Sequence, residues 1–242
     1  MSTTTIKHRT NLVYENKVYT NTTVKLNKCT NVRFVNCSFR NASLYFVECS
    51  QITVQRCSFM RTNTTHSLQC DKSSNITIAR NYFEEPVGTS KAVDIISLYK
   101  SNNAVVERNY LRGGGPHKSG GGIMLGDNMG DNQTASYNIC IDCGQYGMAI
   151  AGGRNNKIMN NTIMSRTYSW TNVGLYVWGI PQRGSTVTNA VVTDNTISWK
   201  NRENKNNPLW ISSQNVTGTV ARRNRLNVPY NPPARPINVG AI

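Results

Sequence analysis

A glycine-rich stretch in the middle of the chain carries side chains that could transfer protons. Residues 113–128 read GGGPHKSGGGIMLGDN and include His117, Lys118 and Asp127. An imidazole, an amine and a carboxylate are common general acids and bases in enzymes. The stretch does not match a nucleotide-binding loop, because Lys118 follows His117 and the glycines lack the dinucleotide spacing. His117, Lys118 and Asp127 are therefore candidate catalytic residues.

A second group of candidates combines positive charge with aromatic rings. Residues 143–193 contain no Asp or Glu. Guanidinium groups bind carboxylates through paired hydrogen bonds, and aromatic faces can stack on sugar rings or on the bases of a single nucleic-acid strand. The candidate ligand-binding residues, which include one tryptophan beyond this segment, are Tyr146, Arg154, Arg166, Tyr168, Trp170, Tyr176, Trp178, Arg183 and Trp210.

The composition favours a polyanionic partner and gives no sign of a membrane span. The 27 Lys and Arg against 12 Asp and Glu give a net charge of +15, which attracts acidic polysaccharide or nucleic acid and also supports solubility. No apolar run is long enough to cross a bilayer. The N-terminal sequence MSTTTIKHRTNL lacks the apolar segment of a signal peptide. A secreted protein in its mature form and a virion-associated protein both fit this pattern.

The seven cysteines do not suggest a disulfide framework, because at least one must remain unpaired. Cys140 and Cys143 form a lone CxxC pair without a second pair or an HxxxH motif. Zinc or redox chemistry is therefore less favoured than a role for cysteine as a small buried apolar residue.

A nine-residue repeat predicts the elements that must position these side chains. Its clearest copies are NVRFVNCSF (31–39), QITVQRCSF (51–59), NITIARNYF (75–83), NAVVERNYL (103–111), NNKIMNNTI (155–163) and NAVVTDNTI (189–197). Weaker copies are TNLVYENKV (10–18), NQTASYNIC (132–140) and GTVARRNRL (218–226). One copy is too short to bury a face, so the pattern indicates a solenoid whose coils stack.

The seventh residue of each copy is mostly asparagine, which suggests a ladder of side-chain hydrogen bonds between coils. The predicted row is Asn16, Cys37, Cys57, Asn81, Asn109, Asn138, Asn161, Asn195 and Asn224.

A second strand-like run lies between successive copies. These runs are SLYFVE (43–48), HSLQCD (66–71), VDIISLY (93–99), GIMLGD (122–127), GMAIAG (147–152), GLYVWG (174–179) and PLWISS (208–213). Alternation along a strand predicts Leu175 and Val177 in the core, with Tyr176, Trp178 and Trp210 outside. We expect an all-β solenoid of about 8–9 coils in residues 1–227. Residues 228–242 form an extended, proline-rich tail that either caps the last coil or binds a partner.

The asparagine row and the repeated pattern resemble those of the right-handed, single-stranded parallel β-helix of the pectate-lyase-like superfamily. The resemblance covers residues 10–226. It implies that substrate lies along one parallel sheet, in a groove walled by loops of variable length. In this chain the corresponding sheet is the second set of runs, and its flanking insertions are 84–92, 112–121, 165–173, 180–188 and 199–207.

One local segment is also similar to alginate-lyase-like and chondroitinase-like β-helices. The segment DIISLYKSNN (94–103) resembles the part of those proteins in which an acidic residue helps to hold calcium and a lysine removes the C5 proton of a sugar. The resemblance implies that Asp94 is the acid and Lys100 the base.

The carboxylates allow other chemistry as well. Asp71 and Asp127 each close a run, so we expect them in one row, two coils and about 10 Å apart. That separation suits an inverting glycoside hydrolase. Asp94 and Asp127, with backbone oxygens, could equally bind Ca²⁺. A third possibility is that each carboxylate only caps a turn.

These observations favour a carbohydrate-active β-helix that binds an acidic polysaccharide and cleaves it by β-elimination or hydrolysis. The alternative is a non-catalytic structural or adhesion module, such as a phage or virus surface component. A nucleic-acid-binding protein is the third hypothesis.

Overall fold

The protein is a right-handed parallel β-helix of nine coils, which confirms the fold predicted from the repeat. The computed structural model describes residues 1–62, 64–117 and 119–235. Each coil contributes one strand to each of three nine-stranded sheets, and all strand pairs within these sheets are parallel. Sheets 1, 2 and 3 are numbered in the order in which each coil meets them.

The strand bounds follow the coils from the N-terminus to the C-terminus. Sheet 1 comprises Ser2–Lys7, Thr22–Asn27, Ser43–Val47, His66–Asp71, Asp94–Tyr99, Gly121–Asp127, Tyr146–Ile150, Val173–Val177 and Leu209–Ile211. Sheet 2 comprises Thr10–Glu15, Thr30–Val35, Ser50–Gln55, Ser74–Ala79, Asn102–Glu107, Gln133–Ser136, Lys157–Met159, Val191–Thr193 and Val220–Arg222. Sheet 3 comprises Val18–Thr20, Ser38–Arg40, Ser58–Met60, Tyr82–Glu84, Tyr110–Arg112, Ile139–Ile141, Thr162–Met164, Thr196–Ser198 and Arg225–Leu226. A small fourth sheet comprises Gly153–Arg154, Val187–Thr188 and Val216–Thr217, and a 3₁₀ helix spans Pro181–Arg183.

The core consists of rows of apolar side chains that stack from coil to coil. Phe39, Phe59 and Phe83 are fully buried, and their ring centroids are 4.4 and 4.6 Å apart in parallel stacks. Leu175 and Val177 are also fully buried, as the alternation predicts. Each repeat buries its apolar face only against its neighbours, which is the general basis of solenoid stability.

Asparagine side chains join successive coils through buried hydrogen bonds. The Asn81 amide donates to Asn109 Oδ1 at 2.9 Å, and the same contact continues through Asn138, Asn161 and Asn195. The chain of contacts ends at Asn224, which accepts from Asn195 at 2.9 Å. Each amide also donates to a backbone carbonyl of the preceding coil, as Asn109 does to Ile78. These bonds satisfy polar groups that would otherwise be buried without partners.

The assignment of Asn16 to this row was wrong by one residue. Leu12 pairs with Val32, so Lys17 occupies the position of Cys37. Asn16 instead occupies the preceding turn, with φ of 54°, like Asn36 with φ of 53°. Asparagine tolerates this left-handed conformation better than most residues, so an asparagine alone does not identify the ladder position.

The glycines of residues 113–128 allow neighbouring backbones and rings to approach closely. Gly113 has φ of 83°, and a Cβ there would overlap the carbonyl oxygen of Glu85. A Cβ at Gly121 would overlap the ring and carbonyl oxygen of Tyr146 on the next coil. Glycine is thus required for packing of the insertion and of the strand that follows it.

The described part of the C-terminal tail lies along the outer face of sheet 3. Val228 packs against a cluster formed by Tyr82, Tyr110, Ile141 and Met164. The tail leaves Val220 and Leu226 of the last coil exposed. The described part of the tail therefore does not cover the end of the last coil. Residues 236–242 lie outside the described part. Among the described residues, no helix is long and apolar enough to cross a membrane.

Candidate functional site

A groove of about 520 Å³ lies on the outer face of sheet 1. Its floor follows one outward-facing row of residues, in which Ser97 pairs with Met124 and Tyr176 pairs with Trp210. The parallel register repeats this row about every 4.8 Å. The lining residues are His66, Gln69, Val93, Asp94, Tyr99, Ser119, Met124, Asp127, Gln145, Asn172, Val173, Tyr176, Trp178, Ile180, Arg183 and Trp210.

Asp94 is a buried acid in the wall of this groove, with only 3% of its surface exposed. Its Oδ1 accepts hydrogen bonds from the Tyr146 hydroxyl and from the Gly121 amide, the latter at 3.1 Å. Burial raises the pKa of Asp94 to about 7, and the negative charge of Asp127 also raises it, against the lowering effect of the Tyr146 hydrogen bond. Asp94 can therefore gain or lose a proton near neutral pH.

Asp127, the second carboxylate of the groove, is held in a different environment. Its Oδ2 accepts from Ser97 Oγ at 3.0 Å, and its Oδ1 accepts from Arg183 Nη1 at 2.7 Å. Burial raises the pKa of Asp127, while Ser97 and Arg183 act to lower it by stabilising the charged form. Arg183 ends the short helix Pro181–Arg183, so a loop insertion supplies the counter-ion of a strand residue.

Aromatic side chains form the far end of the groove. Trp178 and Trp210 meet edge to face, with their centroids 6.0 Å apart. Trp210 remains 45% exposed. Tyr176 packs edge to face on the ring of Tyr146, 5.1 Å away. Exposed aromatic faces beside two carboxylates give this surface both a stacking platform and groups for proton transfer.

His66 belongs to the groove and was missed by the sequence analysis. It occupies the same register position as Asp94 on the neighbouring strand. Burial lowers the pKa of His66 to about 4, so the ring is neutral at neutral pH. Its Nδ1 is buried without a hydrogen-bond partner among the described residues. The sequence did indicate the position of His66, because His66 opens the run HSLQCD just as Asp94 opens DIISLY.

Asp71 and Asp127 do lie in one row, two coils apart. Asp71 pairs with Tyr99, and Tyr99 pairs with Asp127. Asp71 accepts a hydrogen bond from Tyr45 at 3.2 Å and is absent from the lining of the groove. The two carboxylates that share the groove are therefore Asp94 and Asp127.

Two of the predicted bases, His117 and Lys100, lie apart from the groove lining. His117 is exposed, contacts Ser119 Oγ at 3.1 Å, and lines a separate cavity with Ser90, Lys91 and Pro116. Lys118 lies outside the described residues. Lys100 follows the strand that contains Asp94, and its Nζ lies 5.5 Å from the centroid of the Tyr99 ring.

Two of the predicted arginines form ion pairs away from the groove. Arg154 lies in the small fourth sheet and pairs with Asp131 at 2.8 Å. Arg166 pairs with the buried Asp142 at 3.1 Å. Neither arginine lines the groove, so Arg183, which pairs with Asp127, is the predicted arginine that does.

Tyr168 and Trp170 also lie outside the groove lining. Their rings stack on each other at 4.9 Å. The indole of Trp170 closely approaches the backbone at Gly88 and Gly115. This pair thus packs the loops together, whereas Tyr176, Trp178 and Trp210 face the groove and Tyr146 lies beneath it.

Solved structures share this architecture at low sequence identity. The periplasmic alginate epimerase AlgG aligns with a TM-score of 0.56 and 13% identity, over 86% of this chain and 50% of that chain. A double mutant of the same epimerase aligns with a TM-score of 0.51 and 13% identity, over 91% and 70%. An alginate lyase from Paenibacillus sp. aligns with a TM-score of 0.49 and 9% identity, over 89% and 95%. This chain thus spans about half the length of the first of these proteins.

Sequence comparison identifies a family. No curated protein matches the chain. The family model described as periplasmic copper-binding protein (NosD) matches residues 2–193. Because this match covers most of the nine coils, the protein belongs to the NosD family.

Proposed function

We propose that the protein binds a polysaccharide along the outer face of sheet 1 and cleaves it by proton transfer at Asp94. The observation that carries this proposal is the pair of buried carboxylates, Asp94 and Asp127, in one groove with Tyr176, Trp178 and Trp210. Two acids with different partners can take different roles, one as proton donor and the other as the charged partner.

Hydrolysis is the reaction that this pair supports best. With a pKa of about 7, Asp94 holds its proton at mildly acidic pH and donates it to the oxygen of the glycosidic bond. Asp127, stabilised as a carboxylate by Arg183 and Ser97, activates water or stabilises the positive charge that develops on the sugar. These are the two roles that glycoside hydrolases assign to paired carboxylates.

β-Elimination is the second candidate, and His66 favours it. A lyase needs a neutral base near the C5 proton of a uronate and positive charge near the uronate carboxylate. His66 is held neutral by burial beside Asp94. Arg183 supplies a cation in the same groove. Elimination leaves an unsaturated sugar that absorbs ultraviolet light, whereas hydrolysis leaves only a new reducing end.

The net charge supports an acidic polymer as substrate. The chain carries a charge of +15, which favours association with polyanions at low salt. The structural neighbour AlgG is by its description an alginate epimerase, and alginate is a polyuronate. We therefore place polyuronates first among the substrates to be tested.

The described His, Cys, Asp and Glu side chains do not form a copper site of three or more ligands. Among residues 1–62, 64–117 and 119–235, no group of three His, Cys, Asp or Glu side chains could hold one ion. The seven cysteines are buried as free thiols. No reaction step is therefore assigned to copper. Calcium at Asp94 and Asp127 remains a prediction, because two carboxylates would need several further oxygen ligands.

The proposal is tested by incubating the protein with a panel of polyuronates and neutral polysaccharides. Reducing ends and ultraviolet absorbance are both measured, with and without EDTA. We expect wild type to release products from at least one polymer, and Asp94→Asn to be slower by roughly 10²–10⁴-fold, the usual contribution of a general acid or base. Glu203→Gln, which neutralises an exposed carboxylate in an ion pair with Lys205, is the matched control and should retain wild-type activity.

Two outcomes would contradict the proposal. Equal rates of product release by Asp94→Asn and Glu203→Gln would show that Asp94 takes no part in the reaction. Binding without any product, across the whole panel, would favour the non-catalytic adhesion module instead.

A further inference from the structure

Three arginines form a straight row at the turn between sheets 2 and 3. Arg56, Arg80 and Arg108 each follow a strand of sheet 2 in consecutive coils. The Arg56 amide donates to the Ala79 carbonyl, which precedes Arg80, and the Arg80 amide donates to the Glu107 carbonyl, which precedes Arg108. The three residues therefore repeat at the coil spacing of about 4.8 Å. All three are exposed. We call them the arginine row.

Backbone geometry does not account for arginine at these positions. The three residues have φ of 53°, 56° and 53°, a left-handed conformation in which asparagine is enriched. Asn36 and Asn160 occupy the same turn in other coils with φ of 53° and 58°. Arg223 occupies the same turn in the last coil, with φ of 55°, but it pairs with Asp194 at 2.7 Å. Among the described residues, the three arginines are thus distinguished by positive charge that is repeated on consecutive coils without an ion pair.

No described carboxylate forms an ion pair with the arginine row. Among the described residues, none of the three forms an ion pair within 4.0 Å, although seven such pairs occur elsewhere. The nearest carboxylate along the chain is that of Glu107, which also has no ion pair in the described part. Like charges on neighbouring coils repel one another, so an anion that bridges them relieves an unfavourable interaction.

The surroundings favour a sugar polymer over a single nucleic-acid strand. Base stacking requires a series of free aromatic faces. The aromatic residue that continues the row is Tyr137, and Arg108 lies over its ring at 5.6 Å. Tyr82 and Tyr110 on the adjacent sheet 3 are buried, and Arg235 of the tail covers Tyr82 at 4.4 Å. The row thus offers forked donors for carboxylates or sulfates beside one exposed ring, that of Tyr137, and not the series of rings that base stacking uses.

The arginine row lies away from the groove. Each coil passes through sheets 1, 2 and 3 in turn, so the turn between sheets 2 and 3 is the one that does not adjoin sheet 1. None of the three arginines lines the groove. A ligand of this row is therefore independent of the reaction proposed for Asp94.

We propose that Arg56, Arg80 and Arg108 form a second binding site, which takes an anionic polysaccharide laid along the helix axis with its charged groups in register with the coils. The three arginines are not proton-transfer groups, so this site binds the polymer and does not cleave it.

The test compares two triple variants that lose the same charge. Arg56→Gln, Arg80→Gln and Arg108→Gln are combined in one protein. Arg202→Gln, Arg222→Gln and Arg225→Gln, which are also exposed, are combined in the control. Binding of heparin, as a sulfated probe, and of polyuronate, as a carboxylated probe, is measured as a function of salt. Single-stranded oligonucleotide is the third probe, and thermal unfolding checks that each variant is folded.

We expect the row variant to bind at least one polysaccharide about tenfold or more weakly than the control. The slope of log K against log salt should fall by about one for each arginine removed, as for charge-assisted binding to other polyanions. The two polysaccharides distinguish sulfate from carboxylate as the bound group. Equal binding by the two variants would overturn the proposal, and so would a loss confined to the oligonucleotide.

Discussion

At the scale of single residues, the environment of Asp94 decides what the groove can do. A carboxyl group exposed to water is ionised at neutral pH and is a poor proton donor. Asp94 is buried beside a second carboxylate, and these effects raise its pKa to about 7. The Tyr146 hydroxyl and the Gly121 amide fix its orientation. Burial thus gives Asp94 a pKa suited to proton transfer, and it also makes the ionisation of Asp94 a cost to stability that depends on pH.

We expect the pH dependence of stability to identify Asp94. Its pKa in the folded protein lies above the unfolded value, so its stabilising contribution is fully present below about pH 4 and is lost as the pH rises through about 7. Relative to Asp94→Asn, the wild type should lose on the order of 2–4 kcal/mol of unfolding free energy between these limits. Chemical denaturation at a series of pH values measures the difference.

Glu203→Gln provides the control for this experiment. Its pH profile should follow that of the wild type closely, because the Glu203 carboxylate is exposed and its pKa is lowered by Lys205 rather than raised by burial. If Asp94→Asn and wild type have parallel profiles from acid to neutral pH, the Asp94 carboxyl is not perturbed as described.

At the scale of elements, the asparagine row fixes the spacing and register of the coils. Asn161 illustrates how much one side chain supports. Its amide donates to Ala135 O at 3.0 Å and to Asn195 Oδ1 at 3.0 Å, and its Oδ1 accepts from the Asn138 backbone at 2.8 Å. Five successive asparagines share this arrangement, so the turns of the C-terminal coils are held by side chains as well as by the sheets.

Replacing Asn161 by Ala should therefore be strongly destabilising. The substitution leaves several buried donors and acceptors without partners, and each costs about 1–3 kcal/mol. We expect a loss of about 3 kcal/mol or more, measured by urea denaturation. Gln55→Ala removes an amide from the outer face of sheet 2 and should cost less than about 1 kcal/mol. A similar small loss for both variants would show that the ladder contributes little.

At the scale of the whole molecule, the tail connects coils that are far apart in sequence. Tyr230 donates to Asp142 at 3.2 Å, and Arg235 pairs with Glu84 at 3.5 Å. Val228 covers an apolar cluster on the outside of sheet 3. The tail thereby shields apolar rings on a face that would otherwise be open to water. Sheet 1 is left free for the groove.

We expect the double change Val228→Ser and Tyr230→Ala to weaken this arrangement. The unfolding free energy should fall by about 1–3 kcal/mol, and binding of an apolar dye should rise because Tyr110 and Met164 become accessible. Asn231→Ala, at an exposed position of the same tail, should change neither. If the double variant unfolds like wild type and binds no more dye, the tail does not stabilise sheet 3.

The sequence determined the repeat, and with it the parallel sheets and the inward position of residues such as Leu175 and Val177. Neighbour-to-neighbour stacking makes these features local, so their signal recurs in every coil. The assignment of Asn16 failed because asparagine suits both the ladder and the left-handed turn. Alternation along the strands also predicted correctly that Tyr176 and Trp178 point away from the core.

Only the tertiary structure decided which chemical groups share the groove. Asp94 and Asp127 come from adjacent coils, and Arg183 reaches Asp127 from an insertion 56 residues later. The sequence gives the length of each insertion but not the direction in which it folds, so Arg154, Arg166 and His117 could not be separated from Arg183 beforehand. Burial, which raises the pKa of Asp94 and lowers that of His66, arises from the packing of several coils and insertions together. Local sequence therefore specified the solenoid, whereas the loops and the stacking of coils specified the site.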